Sequence, residues 1–154
     1  MKKINLLLIF LCMILFNSCS KDGINASPYF NAKLDGKTYK CDGFYAYATN
    51  FSDTYNIYGV GDENKTSRAI YVAVEKSRGV GTYQLTDSKN FALFQDENGT
   101  GYRSDYKGGS GEVTITTKTA TNVKGTFKCV VQQNPNGTGK SVTFTEGEFS
   151  VEFR

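Results

Sequence analysis

The sequence has no histidine and no tryptophan among its 154 residues. Without histidine, the chain cannot form a Ser-His-Asp or Cys-His catalytic arrangement, and it cannot bind a metal ion through imidazole. Lysine and arginine form no dense cluster, and the formal net charge is only +3, whereas nucleic-acid-binding proteins usually concentrate basic residues on one face. We therefore expect no enzymatic activity, no cofactor, no metal site and no nucleic-acid partner.

The N-terminus does contain a long apolar run. Lys2 and Lys3 are followed by apolar residues from position 4 to position 16, interrupted only by Asn5. This length suits the hydrophobic region of a signal peptide and is too short to span a bilayer. The run ends at Cys19, where charged and glycine-containing sequence begins at once.

The segment FNSC at residues 16–19 resembles the cleavage site of a bacterial lipoprotein, although Phe16 and Asn17 depart from the usual residues. The resemblance implies a signal peptide over residues 1–18 and diacylglycerol and fatty acyl (palmitate-type) chains on Cys19. Each buried methylene contributes roughly 0.8 kcal/mol, so two or three chains anchor a protein stably. An ordinary secretory signal with an incidental cysteine is the alternative.

Residues 19–28 are small and polar and predict a short lipidated tether. The resemblance to bacterial lipoproteins implies a location at the outer membrane, with the chain held by lipid on either the periplasmic or the cell-surface face. The membrane is accordingly the first expected partner.

The rest of the chain shows alternation of apolar and polar residues, with turns every 8 to 12 residues or so and no useful helical periodicity. This pattern predicts a single all-β domain over residues 29–154, an antiparallel meander forming a β-sandwich or flattened barrel of about 8–11 strands. The predicted strands are 29–34, 37–41, 44–51, 54–61, 68–75, 81–85, 91–95, 101–106, 111–117, 122–133, 140–145 and 148–154.

Several short motifs recur in an order typical of one family. They are FNAKLDGKTY, GTYQL, GSGEVTIT, VKGTF and VTFTEGEFSVEF, and they extend over nearly all of the chain after the tether. Together they resemble a Bacteroidota outer-membrane lipoprotein domain of unknown function, DUF6252-like. The resemblance implies an all-β domain exposed at the outer membrane, and it implies no catalytic residues.

Two of the four cysteines, Cys41 and Cys129, lie in the predicted domain. The parity of their strands places both on the face that carries the larger hydrophobic side chains. Outside the cytoplasm such thiols can oxidise, so a Cys41–Cys129 disulfide is one expectation. Two buried thiols that act as small hydrophobic side chains are the other.

Aromatic residues concentrate between positions 44 and 58. Parity places three of them on one face, opposite Ala46 and Ala48, and such a face could stack on sugar rings or apolar ligands. Ordinary cross-strand and core packing is the alternative. The candidate ligand-binding aromatics are Tyr45, Tyr47, Phe51, Tyr55 and Tyr58.

Acidic residues provide the remaining candidates. The loops GDENKTS (61–67) and QDENGTG (95–101) contain hard oxygen ligands but lack the spacing of an EF-hand. Carboxylates such as Glu146 and Glu148 could hydrolyse glycosides without histidine, although they sit at turns or on the solvent side. Polar turns between strands are the alternative for both patterns, and they are the favoured explanation.

Three functions follow from these observations. The leading one is a lipid-anchored β-domain without enzymatic activity, which binds a partner or has a structural role at the surface. The alternative is a calycin-like carrier of a small apolar or glycan ligand, if the strands enclose a cavity. A glycan-active enzyme is the third. A glycan, a small apolar ligand or a surface protein are the candidate partners.

Overall fold

The computed structural model describes residues 27–61 and 67–154. The predicted signal peptide, Cys19 and most of the tether lie outside the described residues. Within this part of the chain no helix is long and apolar enough to cross a membrane. The strands are β1 (Tyr29–Leu34), β2 (Lys37–Asp42), β3 (Ala46–Phe51), β4 (Thr54–Val60), β5 (Ala69–Glu75), β6 (Gly81–Gln84), β7 (Phe91–Gln95), β8 (Gly101–Arg103), β9 (Ser110–Lys118), β10 (Asn122–Gln132) and β11 (Ser141–Glu152).

These strands form one antiparallel sheet that is nearly closed into a barrel, which confirms the all-β prediction. The main order is β2-β1-β11-β10-β8-β7-β5-β4-β3, and β9 pairs with both β10 and β6. A bridge between Ala48 and Phe153 brings β3 onto the end of β11. The Arg154 N–H also donates to the Ala48 carbonyl at 2.9 Å. The sheet therefore curls back on itself.

Alternation of side chains fills the interior. In β11, Phe149 and Val151 are each 1% exposed, whereas Glu148 and Glu152 point to solvent. The centre is an aromatic cluster in which Phe127 lies 5.0 Å from Phe30 and 6.3 Å from Phe144, measured between ring centroids. Burial of such large rings is the main source of stability in a small β-domain.

The two last predicted strands are one strand in the structure. The pairing of β11 shifts register against both β1 and β10 near Glu146, which has a positive φ of 51°. A β-bulge at this point adds one residue without ending the ladder. At Gly147 a Cβ atom would lie 2.4 Å from the Phe127 ring, so only glycine permits this close approach.

The meander prediction holds only in part. Most consecutive strands pair, but β6 does not pair with β5 or β7; it pairs with β9, and β5 pairs directly with β7. The pairing of β1 with β11 also brings the first and last strands together. Leu85, just after β6, is fully buried and its N–H donates to the Gly111 carbonyl, so burial draws this segment to β9.

Two predicted strands are shorter than expected. Residues Gly43–Tyr45 form a 3-10 helix, so β3 starts at Ala46. Gly43 has a φ of 59°, which an extended strand does not accommodate. The strand predicted over 101–106 ends at Arg103, and at the next position the Ala92 N–H donates to the Ser104 hydroxyl at 2.8 Å in place of a backbone carbonyl.

Candidate functional site: the outer aromatic row

The five candidate aromatic residues do not share one surface. Tyr47 and Tyr58 lie on the outer face of β3 and β4, whereas Tyr55 points inward and is fully buried. Tyr45 belongs to the 3-10 helix and is 58% exposed, and Phe51 ends β3 and is 68% exposed. The structure therefore does not bring the five candidate residues together on one surface.

The register explains the position of Tyr55. The β3–β4 pairing sets Asn50 opposite Tyr55 and Tyr47 opposite Tyr58. Tyr55 therefore lies on the same inner face of the sheet as Ile57, two residues further along β4. Strand parity correctly places Ala46 and Ala48 on the face opposite Tyr47, and both alanines are fully buried. The outer face thus keeps only Tyr47 and Tyr58 as neighbours.

Two residues outside the predicted set extend this pair into a row. Tyr58 lies 4.8 Å from Tyr47 in a stacked arrangement, and 5.3 Å from Tyr71 on β5. Tyr71 in turn lies 5.8 Å from Phe91 on β7. We call these four residues the outer aromatic row. Parity could have indicated Tyr71, because Ile70 and Val72 on either side of it face the core.

An arginine covers each end of the outer aromatic row. The guanidinium of Arg154 lies 4.8 Å from the Tyr47 ring centroid, and that of Arg103 lies 3.9 Å from the Phe91 centroid. Arg103 also donates two hydrogen bonds of 2.8 Å to Asp105. These bonds outweigh desolvation and raise the pKa of Arg103, so the cation is permanent.

The geometry of the row favours packing over sugar binding. Stacking of Tyr47 on Tyr58, with planes 16° apart, uses ring faces that a sugar would need. The row also covers Asn56, which is only 7% exposed, and the Asn56 amide donates to the Tyr58 hydroxyl at 3.2 Å. Desolvation is the largest influence on Tyr71 and raises the pKa of its hydroxyl. This wall of the barrel is therefore packed on both faces.

The predicted disulfide is not formed: Cys41 and Cys129 are buried thiols in the described part of the chain. Cys41 pairs with Phe30 on β1, whereas Cys129 pairs with Phe144, which pairs with Leu34 on β1. Four residues along a strand span about 13 Å. A disulfide requires Cα atoms within roughly 7 Å, so the register keeps the two thiols apart.

The two thiols have different surroundings. Cys41 donates to the Gly61 carbonyl at 2.9 Å. Burial raises the pKa of Cys129 to about 12. Because the thiolate is the nucleophilic form, Cys129 is inert at neutral pH and acts as a small core side chain.

The candidate carboxylates lie at an open groove of about 400 Å³ on the outer faces of β9, β10 and β11. Glu146 forms an ion pair of 2.7 Å with Lys33, and Glu148 accepts a hydrogen bond of 3.3 Å from the Asn31 amide. Each carboxylate thus has its own partner on β1. Both side chains are exposed, whereas the acid of lysozyme-type glycosidases lies in an apolar pocket.

The second acidic loop is a turn with internal hydrogen bonds. The Asp96 carboxylate accepts from the backbone N–H groups of Asn98 and Thr100 at 3.0 and 2.9 Å, and from the Tyr102 hydroxyl at 3.3 Å. Desolvation opposes ionisation of Asp96, but these bonds prevail and lower its pKa. Most of the other loop, 61–67, lies outside the described residues. Among the residues described, no three acidic or cysteine side chains group as metal ligands.

Comparison with known proteins identifies a family for this chain without adding an activity. A family model described as a domain of unknown function (DUF6252) matches residues 26–151. None of the curated proteins and none of the solved structures matches the chain significantly. Because the family match extends over the whole barrel except the last residues of the chain, the chain belongs to the family of domains of unknown function DUF6252.

Proposed function

We propose that this protein is a lipid-anchored β-domain of a Bacteroidota outer membrane, without enzymatic activity, that binds a partner or has a structural role at the surface. The anchor is Cys19, and residues 1–18 are a signal peptide that is removed. The proposal draws on two independent features, the N-terminal sequence pattern and the chemistry of the barrel.

The observation that carries the second part is the filled interior of the barrel. Phe30, Tyr39 and Phe144 are fully buried at its centre, and Tyr39 packs edge-on against Phe144 at 6.3 Å between centroids. A carrier of the calycin kind would need an internal cavity of at least ~300 Å³ where these rings lie. The filled interior therefore favours a domain that acts through its outer surface.

Surface polar groups also support a role without catalysis. Lys128 pairs with Glu112 at 3.1 Å, and Lys33 pairs with Glu146 at 2.7 Å. Exposed ion pairs of this kind contribute only ~0–1 kcal/mol each to the free energy of unfolding. Such a surface suits recognition of a polar partner better than proton transfer.

The lipid anchor is tested by replacing Cys19 in the full-length chain. We expect the wild-type protein to fractionate with membranes and to show, by mass spectrometry, cleavage after Ser18 and acyl chains on Cys19. Cys19→Ala should yield an unacylated chain that keeps residues 1–18. Cys12→Ala is the matched control, because Cys12 lies in the predicted apolar region of the signal, and this variant should behave like wild type.

An unacylated wild-type protein, or a Cys19→Ala variant that still carries acyl chains, would contradict the proposal. Digestion of intact cells with a protease then distinguishes the two faces of the membrane. Cleavage of the domain indicates the cell surface, and protection indicates the periplasmic face.

A further inference from the structure

The point where the chain enters the barrel is fixed by a backbone hydrogen bond. The Gly43 N–H donates to the Pro28 carbonyl at 2.7 Å, so the entry point lies beside the 3-10 helix Gly43–Tyr45. Pro28 is the last residue of the predicted tether. Whatever holds the tether therefore also holds this helix close to it.

The 3-10 helix presents two aromatic side chains to solvent. Phe44 is 77% exposed and Tyr45 is 58% exposed, and their rings meet edge to face at 5.9 Å between centroids. Exposure of large apolar rings to water is unfavourable, so adjacent exposed rings often mark an interaction surface.

Arg154 holds this pair in place from the other side. Its guanidinium donates to the Phe44 carbonyl at 3.0 Å and to the Gly43 carbonyl at 3.4 Å, and it lies 4.6 Å from the Phe44 ring centroid. The result is a small surface with an apolar outer part and a cationic edge. Residues that combine an apolar body with a polar end favour the interface between water and the acyl chains of a membrane.

The length of the tether decides what this surface can reach. Nine peptide steps separate Cys19 from Pro28, and an extended chain covers at most about 3.3–3.6 Å per residue, or roughly 30 Å in total. A lipid on Cys19 would therefore confine the entry point of the barrel to the first ~30 Å above the bilayer.

We propose that Phe44, Tyr45 and Arg154 form a bilayer-contact surface, with the two rings in the headgroup region and the guanidinium at the lipid phosphates. The contact rests on the proposed lipidation of Cys19. It orients the anchored domain, because the connection between β10 and β11 then points away. Nine residue steps along β11 separate Ser141 from Ser150, the partner of Tyr29, and this distance is about 30 Å along the strand.

The absence of tryptophan makes the contact measurable with a single reporter. The lipidated full-length chain carrying Phe44→Trp is reconstituted into phosphatidylcholine vesicles, with or without brominated acyl chains. Asn136→Trp is the matched control, because Asn136 is exposed in the β10–β11 connection. We expect brominated lipid to quench the Phe44→Trp emission roughly twofold or more, as for a side chain 5–10 Å deep in the interface. The Asn136→Trp emission should be unchanged.

Flotation of the same vesicles separates the two proposals. If the protein floats with the vesicles but the emission of Phe44→Trp and of a second reporter, Tyr45→Trp, is not quenched, lipidation stands and the contact surface is overturned. Quenching of Asn136→Trp to the same extent as Phe44→Trp would also overturn the contact surface. A protein that does not float overturns the anchor and, with it, this contact.

Discussion

The two walls of the barrel have the same inner face and different outer faces. On the wall of β3, β4 and β5, register places Tyr47, Tyr58 and Tyr71 in one row across the outer surface. On the wall of β9 and β10, the corresponding row holds Thr114 and Thr126. The strands of both walls nevertheless bury apolar side chains at alternate positions.

The difference shows that two kinds of packing operate in one sheet. On the polar wall the outer residues are more accessible to water and form polar contacts, such as the 2.9 Å hydrogen bond between the Thr82 and Thr114 hydroxyls. The aromatic wall is packed on both faces, and even Ala73, whose neighbours Val72 and Val74 point to the core, is only 1% exposed. Aromatic side chains in this chain therefore have two roles: some fill the core and others cover the outer face of the sheet. Substitutions in the two sets should change the free energy of unfolding by different amounts.

The largest effect is expected for the inner face. Phe144 is fully buried and contacts Phe94 at 5.3 Å between centroids. Phe144→Ala removes this ring and leaves a cavity, so we expect a loss of about 3–5 kcal/mol in the free energy of unfolding. Urea denaturation measures it, with the exposed neighbour Thr145→Ala as the control, expected within about 0.5 kcal/mol. Equal losses of unfolding free energy in both variants would contradict the expectation that inner-face residues contribute more to stability than outer-face residues.

A second prediction for the inner face concerns the pH dependence of stability, which a buried thiol should alter. The pKa of Cys129 is raised from 9.0 to about 12 in the folded chain, so the unfolded chain loses this proton first as the pH rises. The contribution of the protonated thiol to the free energy of unfolding is fully present below pH 9 and is lost between about pH 9 and 12. Between pH 8 and pH 10.5 the loss attributable to this thiol is about 2 kcal/mol.

Cys129→Ala lacks the titrating group and provides the comparison, because all other alkaline titrations are common to both chains. Denaturation at pH 8 and pH 10.5 should show a loss that is smaller in the variant by that amount. The same loss in both chains would mean that the barrel accepts a thiolate at this position.

The smallest effect is expected on the outer faces. A double-mutant cycle with Tyr47→Ala and Tyr58→Ala should give a coupling free energy of about 0.5–1.5 kcal/mol, because the two rings stack at 4.8 Å. The cycle with Thr114→Ala and Thr126→Ala, at the equivalent place on the polar wall, should give less than about 0.5 kcal/mol. A coupling of the tyrosines that is no larger than that of the threonines would contradict the cover role of the outer aromatic row.

Local patterns were sufficient for the strands themselves. Alternation and turn residues predicted β1 and β7 with their observed bounds. The bulge at Glu146 was not predicted, because its cause is the contact of Gly147 with the Phe127 ring on another strand. The 3-10 helix was missed for a similar reason, since Gly43 bonds to Pro28 across the entry of the chain.

The candidate sites divide in the same way. Strand parity correctly predicted that Cys41 and Cys129 point inward. Parity does not give the distance between two strands, so it could not show whether the two thiols form a disulfide. The outer aromatic row needed the order of strands, which brings Tyr71 and Phe91 beside Tyr58. The anchor at Cys19 remains a prediction from sequence, since it lies outside the described residues.

The amino-acid sequence by itself determined the all-β character, the positions of most strands and the face on which most strand side chains lie, because these depend on a period of two residues along the chain. Only the tertiary structure decided which strands are neighbours, that the interior is filled by rings, and that the thiols stay apart. Pairing between distant strands depends on the closure of the whole sheet, which joins β1 to β11 and β6 to β9, and no local segment contains that information.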